Sequence, residues 1–513
     1  MPVDVCIHGH FYQPPRENPW LGVIEQQPSA APWADWNQRI TDECYAPNAA
    51  CEFVASEGED RTSNNYAGIS FNFGPTLLAW MARVRPQLLE TIIEADRTGA
   101  ARFQGHGPAI AQAYNHIIMP LAVPRDKATQ IKWGIADFRH RFGRMPEGMW
   151  LPETAVDLET LDLMAAEGIR FTILAPHQAE AVTLPGGDDA AGLDEVWREI
   201  REPGDLNTSR AYRVRLESGR QLAVFFYDGA VSGAVAFAGL LDDPDRFVEQ
   251  LIGFGRPPHL RHIATDGETY GHHVLGGEKT LARALFEIDR HAGAELTVYG
   301  AFLVRTPPDR DVRIAENTSW SCSHGLERWR SHCGCAGGRK PGYRQEWRAG
   351  LRRALDGLRD RTAERFDELG RELFSDPWMA RDSYVEVLLD PSPERLSSFL
   401  EATARFAQRG REDPKVRRAL GLMEQQHHAM LMYTSCGWFF DDPGDIETIQ
   451  ILQYAGRMLQ LAEAWMGLEL GEAFLSDLEE VVSNDPFYRD GRRIWEQYVR
   501  PHMVQHPEPD TGG

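Results

Sequence analysis

Residues 262–271 read HIATDGETYG, and this stretch holds the pattern that decides the fold. Its first four residues, 262–265, form a short run with the apolar and β-branched content of a strand. The carboxylate Asp266 and a turn with two glycines follow at once. In parallel β/α folds, active-site residues lie on the loops after the strands. The stretch is therefore typical of such a fold, with Asp266 as a candidate functional residue.

Further short runs repeat this pattern in the first part of the chain. They lie at 3–7, 69–73, 101–104, 148–151, 171–174 and 222–227. Amphipathic stretches such as 77–96 and 127–142 separate most of them. The residues at or just after the ends of these runs are His8, His10, Asn72, His106, Glu153, Pro176, His177 and Asp228. The pattern predicts an α/β fold with a seven-stranded β/α barrel, closed or nearly closed. An open doubly wound sheet is the alternative, although the Gly-rich phosphate turn typical of it is missing after the first run.

The texture of the sequence changes after about residue 340. Apolar residues recur at helical spacing in 342–374, 392–409, 414–432 and 445–468. We therefore predict a catalytic barrel with inserted loops over 1–340, a helical C-terminal domain that contributes to the substrate cleft over 341–505, and a disordered tail over 506–513.

Composition narrows the class of protein. The chain has 513 residues, of which 76 are acidic and 54 basic, so nucleic acid and anionic membranes are unfavourable partners. Its N-terminus, MPVDVCIHGH, lacks the segments of a secretory signal, and no apolar stretch is long enough to cross a bilayer. Seven cysteines are an odd number, which favours reduced thiols over a disulfide framework. We expect a cytoplasmic protein.

Two carboxylates carry the sharpest chemical signals. Glu153 lies in WLPET and Asp266 in TDGETYG, each at the end of a hydrophobic run. Cleavage of a glycosidic bond needs two such groups facing one cleft, because one attacks the anomeric carbon or activates water while the other protonates the departing oxygen. Without a role in catalysis, Glu153 is a carboxylate at a helix N-terminus and Asp266 a turn residue.

Four ordered motifs together resemble glycoside hydrolase family 57. They are His8-Gly9-His10 with Gln13-Pro14, GHGPAIAQAYNHIIMPL at 105–121, GMWLPE at 148–153 and DGETYG at 266–271. The resemblance implies a seven-stranded β/α barrel followed by a helical domain, and a retaining glycosidase or transglycosidase that acts on α-glucans or maltooligosaccharides without a cofactor. Two departures are Gln104, where many members have glutamate, and a first motif stretched by two residues.

The resemblance also implies roles for individual residues. Glu153 is the expected nucleophile, which forms a glycosyl-enzyme intermediate, and Asp266 the acid that becomes a base in the second step. Retention then requires the two carboxyl groups to lie about 5 to 5.5 Å apart. The expected substrate-binding residues are His8, His10, Gln13, His106, His116, Trp150, Glu268, Trp320, His324 and Trp438. Hydrolysis, chain transfer and branching all fit these residues, because cleft hydration and loop closure select the acceptor.

The sequence allows two interpretations of the cysteine-rich segment at 319–335, and two of Trp438. In SWSCSHGLERWRSHCGC at 319–335, Cys322, His324, Cys333 and Cys335 are possible zinc ligands, but their spacing is uncommon. We therefore prefer a substrate loop with packed thiols and assign no metal. Trp438 is either an exposed platform for a sugar ring or part of the core.

Two other functions are compatible with the sequence. A metal-dependent polysaccharide deacetylase would explain histidines near carboxylates, but the expected His-x-x-x-His pair with an early Asp-Asp is missing near the strand ends. A catalytically silent, carbohydrate-binding relative would bind glucan without turning it over. Because both carboxylates are present, we favour the glycosidase.

Overall fold

The computed structural model describes residues 2–184, 196–253, 260–337, 340–406, 410 and 412–503. The predicted tail at 506–513 lies outside them. The chain forms two compact units. The first unit consists of Met1–Gln13, Gln26–Tyr114 and Phe138–Trp320, and the second of Pro14–Glu25, Asn115–Asp137 and Ser321–Gly513.

The described strands belong to the first unit. They are β1 (Val3–Phe11), β2 (Cys51–Val54), β3 (Asp60–Ser63), β4 (Ser70–Phe73), β5 (Ala111–Gln112), β6 (Met149–Trp150), β7 (Phe171–Leu174), β8 (Ala179–Thr183), β9 (Trp197–Glu199), β10 (Ala211–Arg215), β11 (Gln221–Phe226), β12 (Leu260–Asp266), β13 (Ala294–Leu296) and β14 (Val312–Ile314).

The α-helices occur in both units, and those from α11 onward belong to the second. In chain order they are α1 (Trp36–Ile40), α2 (Ala46–Ala49), α3 (Pro75–Val84), α4 (Pro86–Arg102), α5 (Pro124–Phe142), α6 (Leu158–Ala166), α7 (Gly229–Phe237), α8 (Pro244–Ile252), α9 (Gly277–Arg290), α10 (Tyr299–Arg305), α11 (Trp347–Leu373), α12 (Pro377–Ser383), α13 (Val385–Leu389), α14 (Pro393–Thr403), α15 (Pro414–Leu431), α16 (Cys436–Phe439), α17 (Ile446–Met466), α18 (Gly471–Leu478) and α19 (Gly491–Ile494).

Strand β1 is the centre of its sheet. It pairs in parallel with β12, β4 and β13, and all but one of its nine residues are buried. Strands covered on both faces read as nearly continuous apolar runs, which explains VDVCI at 3–7. The register sets His8 opposite Ser70 on β4. It sets His10 opposite both Asn72 on β4 and Asp266 on β12.

The other strands give a mixed α/β fold. Strand β5 pairs in parallel with β6, and β7 pairs in parallel with β11. The hairpin β2–β3, the ladder β14–β8–β9 and the pair β10–β11 are antiparallel. Of the strands in these antiparallel pairings, the sequence predicted only β11, as the run at 222–227. The others lie largely in segments that join the parallel strands, where they add local structure to the connections.

Six of the seven predicted strands are confirmed, and the run at 171–174 matches β7 residue for residue. The prediction at 101–104 is wrong. Its first two residues end helix α4, and Gln104 then adopts a left-handed backbone with φ of 59°. The strand of this repeat is instead β5, which begins at Ala111. A two-residue strand has no periodicity to detect, so the apolar end of the preceding helix was mistaken for it.

The second unit packs helices around a buried ion pair. Arg381 on α12 donates a 2.6 Å hydrogen bond to Asp126 on α5, and both residues are buried. The same guanidinium donates to the hydroxyl of Thr129 at 2.7 Å and to the carbonyl of Arg125 at 2.8 Å. Removing either member of such a buried ion pair leaves the other charge without compensation in the protein interior, which is destabilising. Across the described ranges, none of the helices has the length and apolar character to span a membrane.

We predict that Arg381→Met destabilises the protein by about 3–5 kcal/mol, because it removes the hydrogen-bonded counter-ion of the buried Asp126 and leaves only Arg125, whose Nε lies 3.9 Å away. Arg353→Met is the matched control, since Arg353 pairs with Glu480 in solvent and both side chains are more than 60% exposed. An exposed pair of this kind contributes about 0–1 kcal/mol. Urea unfolding followed by circular dichroism measures both. Equal destabilisation by the two substitutions would contradict the prediction.

Candidate active site

Asn72 connects the two histidines of β1. Its side-chain oxygen accepts from Nε2 of His8 at 3.2 Å, and its amide nitrogen donates to Nδ1 of His10 at 2.9 Å. The same nitrogen donates to the side-chain oxygen of Gln112 at 2.8 Å. Nδ1 of His8 lies 3.0 Å from the hydroxyl of Ser70. All these side chains are buried, so the network fixes both rings.

The two histidines of this network are neutral. Burial lowers the pKa of His8 and of His10 to about 3, so both imidazoles are neutral. Nδ1 of His10 lies 2.9 Å from the amide nitrogen of Asn72 and 3.3 Å from its side-chain oxygen, so Asn72 holds the ring in place. His10 is therefore a fixed, neutral imidazole at the end of β1, beside Asp266 in the register.

Trp150 supports the histidines from behind. Its indole stacks on the rings of His8 and His10, with centroids 5.0 and 4.9 Å apart, and it is fully buried. Trp320 meets it edge to face at 5.0 Å. The sequence predicted Trp150 as a substrate-binding residue. Its burial instead makes it a packing surface for the histidines.

Glu153 is held in an unusual backbone conformation. Glu153 and Thr154 both have left-handed backbones, with φ of 57° and 50°. Non-glycine residues rarely adopt such angles unless the surroundings enforce them. Here the backbone N–H of Trp320 donates to the carbonyl of Glu153 at 2.9 Å, and Gln178 donates to the carbonyl of Thr154 at 2.9 Å. The turn aims the Glu153 carboxylate at the indole N–H of Trp320, which donates to Oε2 at 3.1 Å.

Asp266 interacts electrostatically with Glu153. Desolvation by the surrounding protein raises the pKa of Asp266 to about 7, and the charge of Glu153 raises it further in the same direction. The side chain of Asp266 is nevertheless exposed, so protein atoms crowd a carboxyl group that solvent can still reach. A group of this kind exchanges protons near neutral pH, as a general acid must.

Glu268 is a third carboxyl group beside the pair. Its Oε1 accepts from the backbone N–H of Tyr12 at 2.9 Å and from the hydroxyl of Tyr45 at 2.5 Å. Burial raises the pKa of Glu268 to about 8, and the charge of Asp266 contributes to this increase although the two hydrogen bonds oppose it. Glu268 is thus a buried, protonated acid at neutral pH that supports the loop after β12.

Two other predicted residues of the first unit have different surroundings. Gln13 donates from its side-chain amide to the carbonyl of Tyr12 at 3.0 Å, within the loop that follows β1. His106 pairs with Glu147 at 2.9 Å, and Glu147 also binds Arg170. Glu147 and Arg170 precede β6 and β7, so this cluster lies at the amino ends of strands whose carboxyl ends carry the site. That position does not favour His106 as a substrate-binding residue.

The predicted residues of the second unit are His116, His324 and Trp438. His116 is buried, and its Nδ1 lies 2.7 Å from the hydroxyl of Ser435. Trp438 is fully buried, with the guanidinium of Arg352 4.1 Å above its ring. The expectation of an exposed sugar platform at Trp438 is therefore wrong, because the indole is buried and a guanidinium packs over its ring. His324 is exposed and lies in the cysteine-rich segment.

The sequence interpretation missed Asn72, Gln112 and Tyr45 as parts of the site. Asn72 was visible as the residue near the end of a strand, but nothing showed that it joins two histidines. Gln112 lies on the short strand β5, which was not predicted. Tyr45 lies in an irregular helical turn far from Glu268 in sequence. Their roles depend on side-chain pairing between distant segments.

Residues 24–308 match the family model described as glycosyl hydrolase family 57, which is more than half of the chain. The chain belongs to glycosyl hydrolase family 57. Both Glu153 and Asp266 lie within the matched residues, whereas His8 and His10 precede them. A second model, described as a domain of unknown function, matches residues 343–508 of this family 57 protein.

The chain is also similar to individual proteins of known name. Alpha-amylase 1 of Dictyoglomus thermophilum is 24% identical over 205 residues, which are 40% of this chain and 26% of that protein. The match thus spans about a quarter of the relative's length. An exo-type maltose-forming amylase from Pyrococcus sp. ST04 aligns with a TM-score of 0.64 at 16% identity, over 93% of this chain and 83% of that one. A branching enzyme from Pyrococcus horikoshii aligns with a TM-score of 0.58 at 13% identity, over 99% and 97%. These structures share the fold.

We predict that Glu268→Gln stabilises this family 57 protein more at pH 8 than at pH 4.5. An unfolded glutamate has a pKa of about 4.3. In the folded protein the pKa of Glu268 is about 8, so between these two pKa values the folded state binds a proton that the unfolded state has lost. The free energy of unfolding therefore falls as the pH rises from about 4.3 to about 8. Glutamine keeps an acceptor oxygen but does not titrate, so the variant does not lose stability in this pH range. We expect its advantage in melting temperature to grow on the order of 5 °C across the window.

Thermal unfolding at both pH values measures this advantage. Glu90→Gln, at an exposed glutamate on α4 that is 68% accessible, is the matched control and should show no such growth with pH. An advantage for Glu268→Gln that stays constant with pH would contradict a raised pKa for this carboxyl group.

Proposed function

We propose that the chain is a retaining glycosidase or transglycosidase that acts on α-glucans, with Glu153 as nucleophile and Asp266 as general acid/base. One observation carries the proposal: Asp266 and Glu153, both at strand ends, interact, and burial together with the charge of Glu153 raises the pKa of Asp266 to about 7. A carboxyl group that holds a proton near neutral pH beside a second carboxyl group suits two-step glycoside cleavage, because one group donates the proton and the other attacks. The names of the amylase and branching-enzyme relatives agree with an α-glucan substrate.

In the first step, the Glu153 carboxylate attacks the anomeric carbon while Asp266 protonates the departing glycosidic oxygen. The indole N–H of Trp320 fixes the rotamer of the nucleophile. Esterification then removes the negative charge of Glu153. Because that charge helps to raise the pKa of Asp266, the pKa falls at the intermediate and Asp266 becomes a suitable base for the second step.

The neutral histidines have a separate role in this proposal. The imidazole of His10 contacts a sugar hydroxyl beside the scissile bond. His8 and Trp150 hold the His10 ring in place through Asn72 and through stacking. Neutral rings suit this task, because a positive charge here would stabilise the ionised form of Asp266 and lower its pKa.

We also propose that seven parallel strands close into a barrel, in the order β1, β4, β5, β6, β7, β11 and β12. Regular pairing joins four of the neighbouring pairs. Single parallel bridges, Phe71 to Ala109 and Gly148 to Phe171, support the joins of β4 to β5 and of β6 to β7. The N–H of Asp228 donates to the carbonyl of His262 at 2.8 Å, which supports the join of β11 to β12.

We also propose a cytoplasmic location, because the cysteines are in the reduced form. All seven cysteines lie in the part of the chain that the structure describes, and there they are thiols rather than disulfides. Free thiols persist where glutathione and thioredoxin keep them reduced. We propose the helical residues 341–505 as the C-terminal domain of the enzyme, with the barrel in 1–340.

We predict that Glu153→Gln and Asp266→Asn each reduce turnover of maltoheptaose and amylose by at least about 10³-fold, because each removes one of the two groups that make and break the glycosyl-enzyme bond. Products are resolved by chain length and linkage, with and without chelator. Shorter chains alone indicate hydrolysis, longer chains transfer, and new branch linkages branching. Glu159→Gln, on α6 close to Glu153 in sequence, is the matched control with unchanged turnover.

The outcomes separate the alternatives. Activity that survives Glu153→Gln but is lost with chelator would favour the deacetylase. Glucan binding without any product from the wild type would favour a silent relative. Either result would overturn the proposed roles of the two carboxyl groups.

We predict that Trp320→Phe lowers kcat/KM about 10-fold to 100-fold without unfolding the protein. It removes the hydrogen bond to an ionised Glu153 carboxylate, which contributes about 1.5–3 kcal/mol, and keeps an aromatic ring at the position. Trp197→Phe on β9 is the matched control. Equal kinetics of Trp320→Phe and wild type would show that the indole N–H does not position the nucleophile.

A further inference from the structure

Four potential metal ligands converge in the second unit, away in sequence from both carboxylates. One ligand atom each from Cys322, His324, Cys333 and Cys335 lies within 4.8 Å of all the others. Among the described residues, this is the group of histidine, cysteine and carboxylate side chains that is close enough to hold a metal ion. The cluster lies in the cysteine-rich segment 319–335, to which the proposed catalytic mechanism assigns no role.

The distances inside the cluster match a tetrahedral zinc ion. Sγ of Cys322 lies 3.9 Å from Sγ of Cys333 and 3.8 Å from Sγ of Cys335, and Sγ of Cys335 lies 3.5 Å from Nδ1 of His324. With Zn–S of about 2.3 Å and Zn–N of about 2.0–2.1 Å, tetrahedral ligands stand about 3.8 Å apart for two sulfurs and about 3.5 Å for sulfur and nitrogen. Packing of apolar thiols does not require this convergence on one point.

The backbone supports this arrangement. Gly334 lies between Cys333 and Cys335 with φ of 81°, a left-handed conformation that turns the chain so that both thiols face the same centre. The N–H of Cys335 lies 3.4 Å from Sγ of Cys333 and donates to it. Gly325, with φ of 78°, makes a comparable turn just after His324. These turns bring together ligands from two short stretches of chain.

A buried arginine supplies the charge that such a site needs. Zinc with three thiolates and one neutral histidine has a net charge of about −1. Arg348 on α11 is fully buried, its guanidinium lies 3.9 Å from Sγ of Cys333, and it donates to the carbonyl of Cys335 at 3.0 Å. It also donates to the carbonyl of Phe440 at 3.0 Å, just beyond α16. Groups around a metal site commonly orient the ligands and balance their charge in this way.

We propose that Cys322, His324, Cys333 and Cys335 bind one structural zinc ion. Four protein ligands fill a tetrahedral zinc ion and leave no open position, which is typical of structural rather than catalytic sites. The ion would fasten the segment 322–335, whose only regular element in the described structure is a single turn at Glu327–Trp329, to helix α11. This inference goes beyond the proposed function and does not depend on it.

Metal content of the full-length protein tests the proposal directly. We expect about one zinc per chain by inductively coupled plasma mass spectrometry of untagged protein, and less than about one tenth in Cys333→Ser/Cys335→Ser, which lacks two ligands. Cys436→Ser is the matched control, because Cys436 lies in the same unit outside the cluster and should leave the zinc content unchanged. Zinc retained by the double variant would overturn the assignment.

A second measurement uses the wild type and does not depend on the folding of any variant. Chelator should lower the melting temperature, zinc should restore it, and Co²⁺ in place of zinc should give the thiolate charge-transfer and visible bands of a tetrahedral cobalt site. No metal in protein grown with added zinc, together with no cobalt bands after reduction, would overturn the proposal. Iron with inorganic sulfide would replace it with an iron–sulfur cluster. Unchanged glucan products after zinc removal would leave the proposed catalysis intact.

Discussion

The parallel register of β1 with β4 and β12 is the constraint on which the site depends. It sets His10 level with Asn72 on one side and with Asp266 on the other. A slip of one residue would turn each of these side chains to the opposite face of its strand. The near-complete burial of β1 prevents such a slip, because it would also expose apolar residues. Packing of the sheet core thus determines the geometry of the polar groups above it.

Burial and charge then distinguish chemically identical groups. Asp266 and Glu268 are two residues apart, yet solvent reaches one carboxyl group and protein hydrogen bonds occupy the other. The first can exchange its proton with solvent near neutral pH, whereas the second keeps its proton and holds the loop. Glu153 differs from both because an indole N–H binds its oxygen. Three carboxyl groups in one region therefore need not compete for the same role.

The sequence predicted most of the parallel strands and the two central carboxylates, and the predictions that failed did so for physical reasons. Buried strands such as β7 are visible because their apolar runs are nearly continuous. The short strand β5 is not, since two residues have no period, and Gln112 was lost with it. His106 follows an apolar run, but that run ends a helix and the histidine precedes the next strand. Trp438 was ambiguous because an aromatic residue beside charges fits a binding surface and a buried cation–π pair equally well.

The left-handed backbone at Glu153 has a consequence for how such a protein changes over time. Glycine or asparagine would adopt this conformation with less strain than glutamate, so the main chain at position 153 disfavours the carboxylate residue that lies there. Selection for turnover opposes that preference only while the reaction is used. In a lineage that stopped using it, replacement at position 153 would relieve the strain and remove the proposed nucleophile in one step. The turn therefore makes loss of activity easy and its recovery difficult.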